Sequence, residues 1–293
     1  HDEDHFSQAN ECFSTAAQLK STDAKLWVNW AKILNTSGRL IKDPKRLKSA
    51  IEKCKKAENY KPNSPEITAI WSEALTMLGL LGDKVDEIYE AQNKILEVIE
   101  DHPDLPNLYH SLGLSFYALG KYFHDLDFYY QAIEKFQEGL SWDRTKHKLW
   151  HALGYSYCVI GQIEDDNSIF DRAHKFFQKA IALQGNSTYY YDLGYSLLKY
   201  AEIINDEKTL ELAKLNFEQA LNLQKNAIYL HPDWLFNYGI TLDLLGSFSE
   251  DRSTYLKALD ILQHVLMVDP DFPGIHYQLA LTCGHLAELT SEI

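Results

Sequence analysis

The chain has 293 residues, 45% of them hydrophobic, with 42 Asp and Glu against 28 Lys and Arg and a formal charge of −14. That apolar share can build a core, while the acidic balance disfavours nucleic acid, whose phosphates need a basic stripe, and serves either solubility or a basic or neutral protein partner. No apolar run reaches the roughly 18 residues of a membrane span, residues 1–5 do not resemble a secretion signal, and Pro and Gly are too scarce for a linker.

The first pattern along the chain is Ala9, Phe13 and Ala16, small–large–small at helical spacing. It returns as Ala173, Phe177 and Ala180. Residues 4–19 are therefore expected to be the second helix of a repeat whose first helix is missing, and the chain to be a fragment. The leading alanine recurs at Ala50, Ala91, Ala132, Ala173, Ala213 and Ala258, at intervals of 41, 41, 41, 41, 40 and 45 residues counted from Ala9.

Ahead of each of these helices stands another apolar stripe. It reads Trp27, Trp30-Ala31 and Leu34, then Trp71, Ala74-Leu75 and Leu78, then Tyr109, Leu112-Gly113 and Phe116. It continues as Trp150, Leu153-Gly154 and Tyr157; Tyr190, Leu193-Gly194 and Leu197; Leu235, Tyr238-Gly239 and Leu242; and His276, Leu279-Ala280 and Cys283. Two helices per repeat joined by a turn make an antiparallel hairpin, and no segment alternates as a strand does. The expected division is a lone second helix at 1–22, hairpins at 23–63, 64–104, 105–145, 146–185, 186–231 and 232–271, and a terminal helix at 272–293.

This arrangement resembles the tetratricopeptide repeat (TPR) along nearly the whole chain. The family's first helix carries a bulky residue, an apolar–small pair and a large apolar residue. Its second carries small–large–small and often ends before a proline, as at Pro62, Pro103 and Pro270. The resemblance implies an all-α, right-handed superhelical solenoid of antiparallel helix hairpins.

The spacing departs from the family's roughly 34 residues by about seven, in the stretches Gly38-x-Leu40-x-x-Asp43, Gly120-x-Tyr122-x-x-Asp125, Gly161-x-Ile163-x-x-Asp166, Ala201-x-Ile203-x-x-Asp206 and Gly246-x-Phe248-x-x-Asp251. The glycines read as helix C-caps and the aspartates as N-caps, with Pro44 at a first helical position. The expectation is a lengthened second helix and a longer loop between helices. In the second repeat Lys84 replaces the Asp. The last helix, over about 274–289, has an apolar stripe of Tyr277, Leu281 and His285 that calls for a cap, a continuation or another chain, so weak self-association is expected there.

Nothing points to catalysis. The five aspartates belong to different repeats and lie too far apart to share an ion. His147 and His151 share a helical face but lack the further ligands zinc needs. Gly113, Gly154, Gly194 and Gly239 lie inside helices and form no phosphate loop. Cys12, Cys54, Cys158 and Cys283 are dispersed in apolar helical patterns, as small buried hydrophobes in a reducing compartment. No cofactor and no metal are expected, and the chain is read as cytoplasmic.

In the family, first helices line the concave side, where ligands usually bind. The resemblance therefore turns Val28, Ser72, His110, His151, Tyr191, Phe236 and Tyr277 into that groove, followed one turn on by Lys32, Thr76, Leu114, Tyr155, Tyr195, Ile240 and Leu281. Tyr117 and Leu198 lie beyond. The candidate ligand-binding set is His110, Tyr117, His151, Tyr155, Tyr191, Tyr195, Phe236 and Tyr277, since exposed aromatics mark binding surfaces. The alternative is that lengthened helices bury these tyrosines. The family's carboxylate clamp would need a Lys in the first series, which has none. The reading is a non-catalytic scaffold holding a peptide or helix of an apolar or basic partner protein between residues 110 and 281, with no nucleic acid or membrane. A secretion or assembly chaperone, or the regulatory arm of an enzyme whose catalytic domain lies elsewhere, are the alternatives.

Overall fold

The computed structural model describes residues 2–20, 22–224 and 231–291. The end of the repeat expected at 186–231, together with residues 1, 21, 292 and 293, lies outside them apart from His231. Among the described residues there are helices and no strand. After α1 (Asp2–Leu19) the helices form hairpins: α2 (Ala24–Leu40) with α3 (Pro44–Tyr60), α4 (Pro65–Gly82) with α5 (Val85–Ile99), and α6 (Pro106–Phe123) with α7 (Leu126–Trp142). Then come α8 (His147–Glu164) and α9 (Asn167–Leu183), α10 (Ser187–Ile204) and α11 (Glu207–Leu223), α12 (Pro232–Ser249) and α13 (Arg252–Val268), and finally α14 (Ile275–Ser291).

The recurring alanines explain the close approach within hairpins. Ala50, Ala91, Ala132, Ala173, Ala213 and Ala258 are all fully buried. The large residue one turn on fills the space each alanine leaves, and Phe136, Phe177 and Phe217 are at most 1% exposed. Each such side chain contributes about 2–3 kcal/mol by leaving water.

The aspartates cap as expected. Asp43, Asp125, Asp166 and Asp251 accept from the backbone N–H two residues on at 2.8–2.9 Å, and Asp206 accepts from Thr209 at 2.8 Å. Lys84 provides no side-chain cap.

The glycines do not cap. Gly38, Gly120 and Gly246 lie inside α2, α6 and α12, and Gly161 inside α8. The left-handed residues in these stretches are instead Lys42, His124, Asp165, Asn205 and Glu250. The chain reverses through each of them. After Lys42, His124 and Asp165 the next N–H returns to the glycine carbonyl: Asp43 to Gly38 at 2.8 Å, Asp125 to Gly120 at 3.2 Å and Asp166 to Gly161 at 3.3 Å. This is a Schellman ending with the glycine one turn inside it. The glycine is there for packing: a Cβ at Gly120 would meet the Tyr129 ring at 3.0 Å, and one at Gly161 the Phe170 ring at 3.0 Å.

The expected longer loop is thus replaced by a longer first helix. Seven extra residues are close to two turns. The hairpins join helices of 15 to 18 residues through two or three residues.

The chain divides into two compact units, His1–Ser156 and Tyr157–Ile293, with the division inside α8. In the N-terminal unit the first helices α2, α4 and α6 pack on one another in series, while α3, α5 and α7 pack on first helices and not on each other among the described residues. In the C-terminal unit α10, α12 and α14 make the same inner layer, with α9, α11 and α13 outside. No described helix is long and apolar enough to cross a membrane.

Candidate functional site

On the inner layer of the N-terminal unit, three successive first helices converge on one carboxylate. Glu73 of α4 sits 2.6 Å from Arg39 Nη1 of α2. It also accepts from Asn35 Nδ2 at 3.3 Å and from Ser111 Oγ of α6 at 3.4 Å. His110 Nδ1 lies 3.5 Å away. Burial opposes the charge on Glu73, but Arg39 and His110 outweigh it and hold the carboxyl down at about 2. Burial in turn lowers the His110 pKa, against the pull of Glu73, so the imidazole is neutral at pH 7. His110 is therefore a partner of Glu73 rather than an open groove residue. Val28 and Ser72, expected in the groove, are buried at 5% and 0% exposure, on the faces where neighbouring first helices pack.

The remaining candidates of this unit form an aromatic strip. Tyr117 packs its ring 5.5 Å from Tyr155 and edge-on to Tyr129 at 5.2 Å, and His151 lies 6.4 Å from Tyr155. Tyr129 is core, whereas Tyr155 keeps 37% of its surface exposed.

The candidates of the C-terminal unit separate by burial. Tyr191 stacks on Trp234 at 4.7 Å and lies 6.4 Å from Tyr195. Its hydroxyl accepts from Asn237 Nδ2 at 2.8 Å. Tyr195 is half-buried, and burial pushes its phenol up to about 12. Phe236 packs on Phe272 at 5.0 Å. Tyr277 is 70% exposed on α14.

The expected apolar stripe on α14 needs correction at His285. This side chain turns to Asp243 of α12, with Nδ1 3.1 Å from Oδ1, while Gln278 donates to the other carboxylate oxygen at 3.1 Å. Asp243 is 3% exposed, so a buried carboxyl group with two partners on α14 ties the terminal helix to its neighbour. Asn35 and Glu73 occupy the same two repeat positions as Asp243 and Gln278. Sequence reasoning missed Glu73, Arg39 and Asp243: the positions equivalent to Glu73 carry Asn29, Ser111, Asp192, Asn237 and Gln278, so one more polar residue there is no distinguishing signal.

Cysteines divide equally: Cys54 and Cys158 are buried, and Cys12 and Cys283 exposed. Burial dominates the rise of the Cys54 thiol to about 12 and of Cys158 to about 11. Among the described residues no group of three or more His, Cys, Asp or Glu is placed to hold a metal ion.

No family model and no curated protein matches the chain. Solved structures do. The human IFIT1 dimer with m7Gppp-AAAA superposes with a TM-score of 0.64 at 16% identity, over 96% of this chain and 68% of that one. A thermophilic TPR protein of Thermus thermophilus gives 0.56 at 17% identity, over 72% and 98%. PilW, a type IV pilus biogenesis factor, gives 0.55 at 16% identity, over 86% and 98%. Together with the repeated hairpins, these likenesses establish the class: the chain has the all-α fold of a tetratricopeptide-repeat protein.

Proposed function

We propose that the chain is a non-catalytic scaffold that binds a peptide or helix of a partner protein on its first-helix layer. The observation that supports this reading is the Tyr117–Tyr155 strip, in which a tyrosine on an inner helix stays 37% exposed instead of entering the core. A large, stiff aromatic surface supplies contact area at low entropic cost. In the C-terminal unit Tyr195 and Tyr277 serve the same purpose, and Tyr191, held by Trp234 and Asn237, orients the surface beneath them. The acidic charge of −14 favours a basic or apolar partner.

The test is affinity capture with the intact chain and two separate variants, Tyr155→Ala and Tyr195→Ala. Each is expected to weaken capture of the principal partner by about tenfold, the scale for a central aromatic worth ~1.4 kcal/mol or more. The pair Lys175→Ala and Lys214→Ala on outer helices is expected to leave it unchanged. Capture that survives both tyrosine changes while the helical spectrum is intact would sink the reading.

A further inference from the structure

The acidity of the chain is unevenly distributed. Residues 20–61 hold 12 of the 28 Lys and Arg but only four of the 42 Asp and Glu. This excess falls mainly on α3 and its two ends, in an outer helix that packs on α2 and α4 and meets α1 where Arg46 lies over the Phe6 ring at 3.9 Å. Lys45, Lys48, Lys55 and Lys56 are all exposed, and the first three share one face at helical spacing.

Some lysines elsewhere are compensated by a nearby carboxylate, while Lys121, Lys175, Lys179, Lys208 and Lys257, like those of α3, have no ion pair among the described residues. Lys84, Lys135, Lys146, Lys199 and Lys214 each reach a carboxylate three residues away on the same stretch of chain, at 2.6–3.7 Å. Among the described residues Lys45, Lys48, Lys55 and Lys56 have no such ion pair, although Glu52 stands among them. Lys53 and Lys56 lie instead over the rings of Trp30 and Trp27 at 4.3 and 4.6 Å, which keeps the charge while fixing the stem. The first turn of α3 holds Lys45 and no acid, as α9 and α13 also begin without one, whereas α5, α7 and α11 begin with Asp or Glu. Cations at a helix N-terminus oppose the macrodipole. At α3 the Asp43 cap, which also lies 3.4 Å from Arg46 Nε, offsets this in part, and the exposed lysines keep their charge at the surface.

We propose that the outer face of α3 is a docking surface for an acidic segment of another protein, separate from the inner-layer surface and independent of it. A 17-residue helix is about 25 Å long, the span of roughly eight extended residues, so the matching element is a short run of Asp and Glu. Nucleic acid fits less well. The tryptophans beneath the lysines are 5–7% exposed and offer bases no stacking platform, and a long polyanion would meet the surrounding negative field. A short acidic peptide contacts the positive strip alone.

The experiment uses the full chain and a fluorescent oligoglutamate of about ten residues, read by anisotropy. Saturable binding is expected, weakened about tenfold or more by Lys45→Glu with Lys48→Glu and Lys55→Glu, and weakened also by salt. A control of equal charge change, Lys135→Glu with Lys199→Glu and Lys214→Glu, is expected to bind within about twofold of the parent. The three Lys→Gln changes on α3 provide a milder version should the reversals disturb folding. Absence of saturable binding overturns the proposal, as does equal loss in the control. A single-stranded RNA of similar length that binds more tightly than the oligoglutamate overturns it in favour of nucleic acid. Concentration-dependent association of the chain with itself, abolished by the α3 reversals, overturns it in favour of a second copy.

Discussion

Glu73 and Arg39 meet at 2.6 Å although they come from first helices of successive hairpins. The pair therefore ties repeat to repeat, where most contacts of a solenoid serve a single hairpin or its neighbour through apolar packing. Glu73→Ala leaves Arg39 and Asn35 without their acceptor and is expected to cost about 2 kcal/mol, measured by urea denaturation.

Acid acts on the same cluster in two steps of the same sign. The folded His110 binds its proton less tightly than the unfolded chain does, so stability falls as pH drops through about 6.5. The folded Glu73 titrates at about 2, so its contribution is complete above about 4.5 and is lost as pH falls towards that lower value. His147 and His174 are lowered in the same direction, mainly by burial, so His110→Gln is expected to reduce the first step and leave the second, read as the midpoint of denaturation against pH.

Asp125→Ala removes the acceptor of the Asp127 N–H and is expected to cost about 1 kcal/mol. Asp251 caps α13 through Ser253 and Thr254, and these hydrogen bonds hold its carboxyl at about 2. Its contribution is present above about pH 4 and disappears as pH falls towards 2. Calorimetry with calcium or zinc is expected to show the same heats for Asp125→Ala, Asp251→Ala and the parent; a stoichiometric ion lost with either would show that these residues are ligands.

Two helix glycines are expected to respond oppositely to alanine. At Gly239 a Cβ would meet Leu262 at 2.7 Å, so Gly239→Ala forces the hairpin apart and is expected to cost about 1–3 kcal/mol. At Gly284 nothing lies within 4 Å, so Gly284→Ala gains helix propensity, about 1 kcal/mol. Thermal denaturation gives both signs.

A maleimide is expected to label Cys12 and Cys283 in the native protein, and Cys54 and Cys158 only after denaturation, because the latter two are 1% exposed with thiols raised by burial. Mass spectrometry after a short exposure counts the adducts.

Local chemistry made the hairpins legible from the sequence. Apolar residues three and four apart specify helices, buried alanines specify where two helices touch, and Asp43, Asp125, Asp166, Asp206 and Asp251 mark where the second helices begin. All of these effects act within about one turn of chain. Tertiary structure decided what depends on the neighbouring repeat. Gly38 and Gly120 resemble C-caps by position, yet the facing side chains of Leu47 and Tyr129 keep them inside a continuing helix, because a close approach needs a missing Cβ as much as a turn does. Val28 and Ser72 were assigned to an open surface by repeat position, and the packing of successive first helices buried them. Glu73, Arg39 and Asp243 gave no local pattern at all. Their partners are 34 to 42 residues away, and a charge can be stable at those inner positions only once a second helix brings its counterpart within hydrogen-bonding distance.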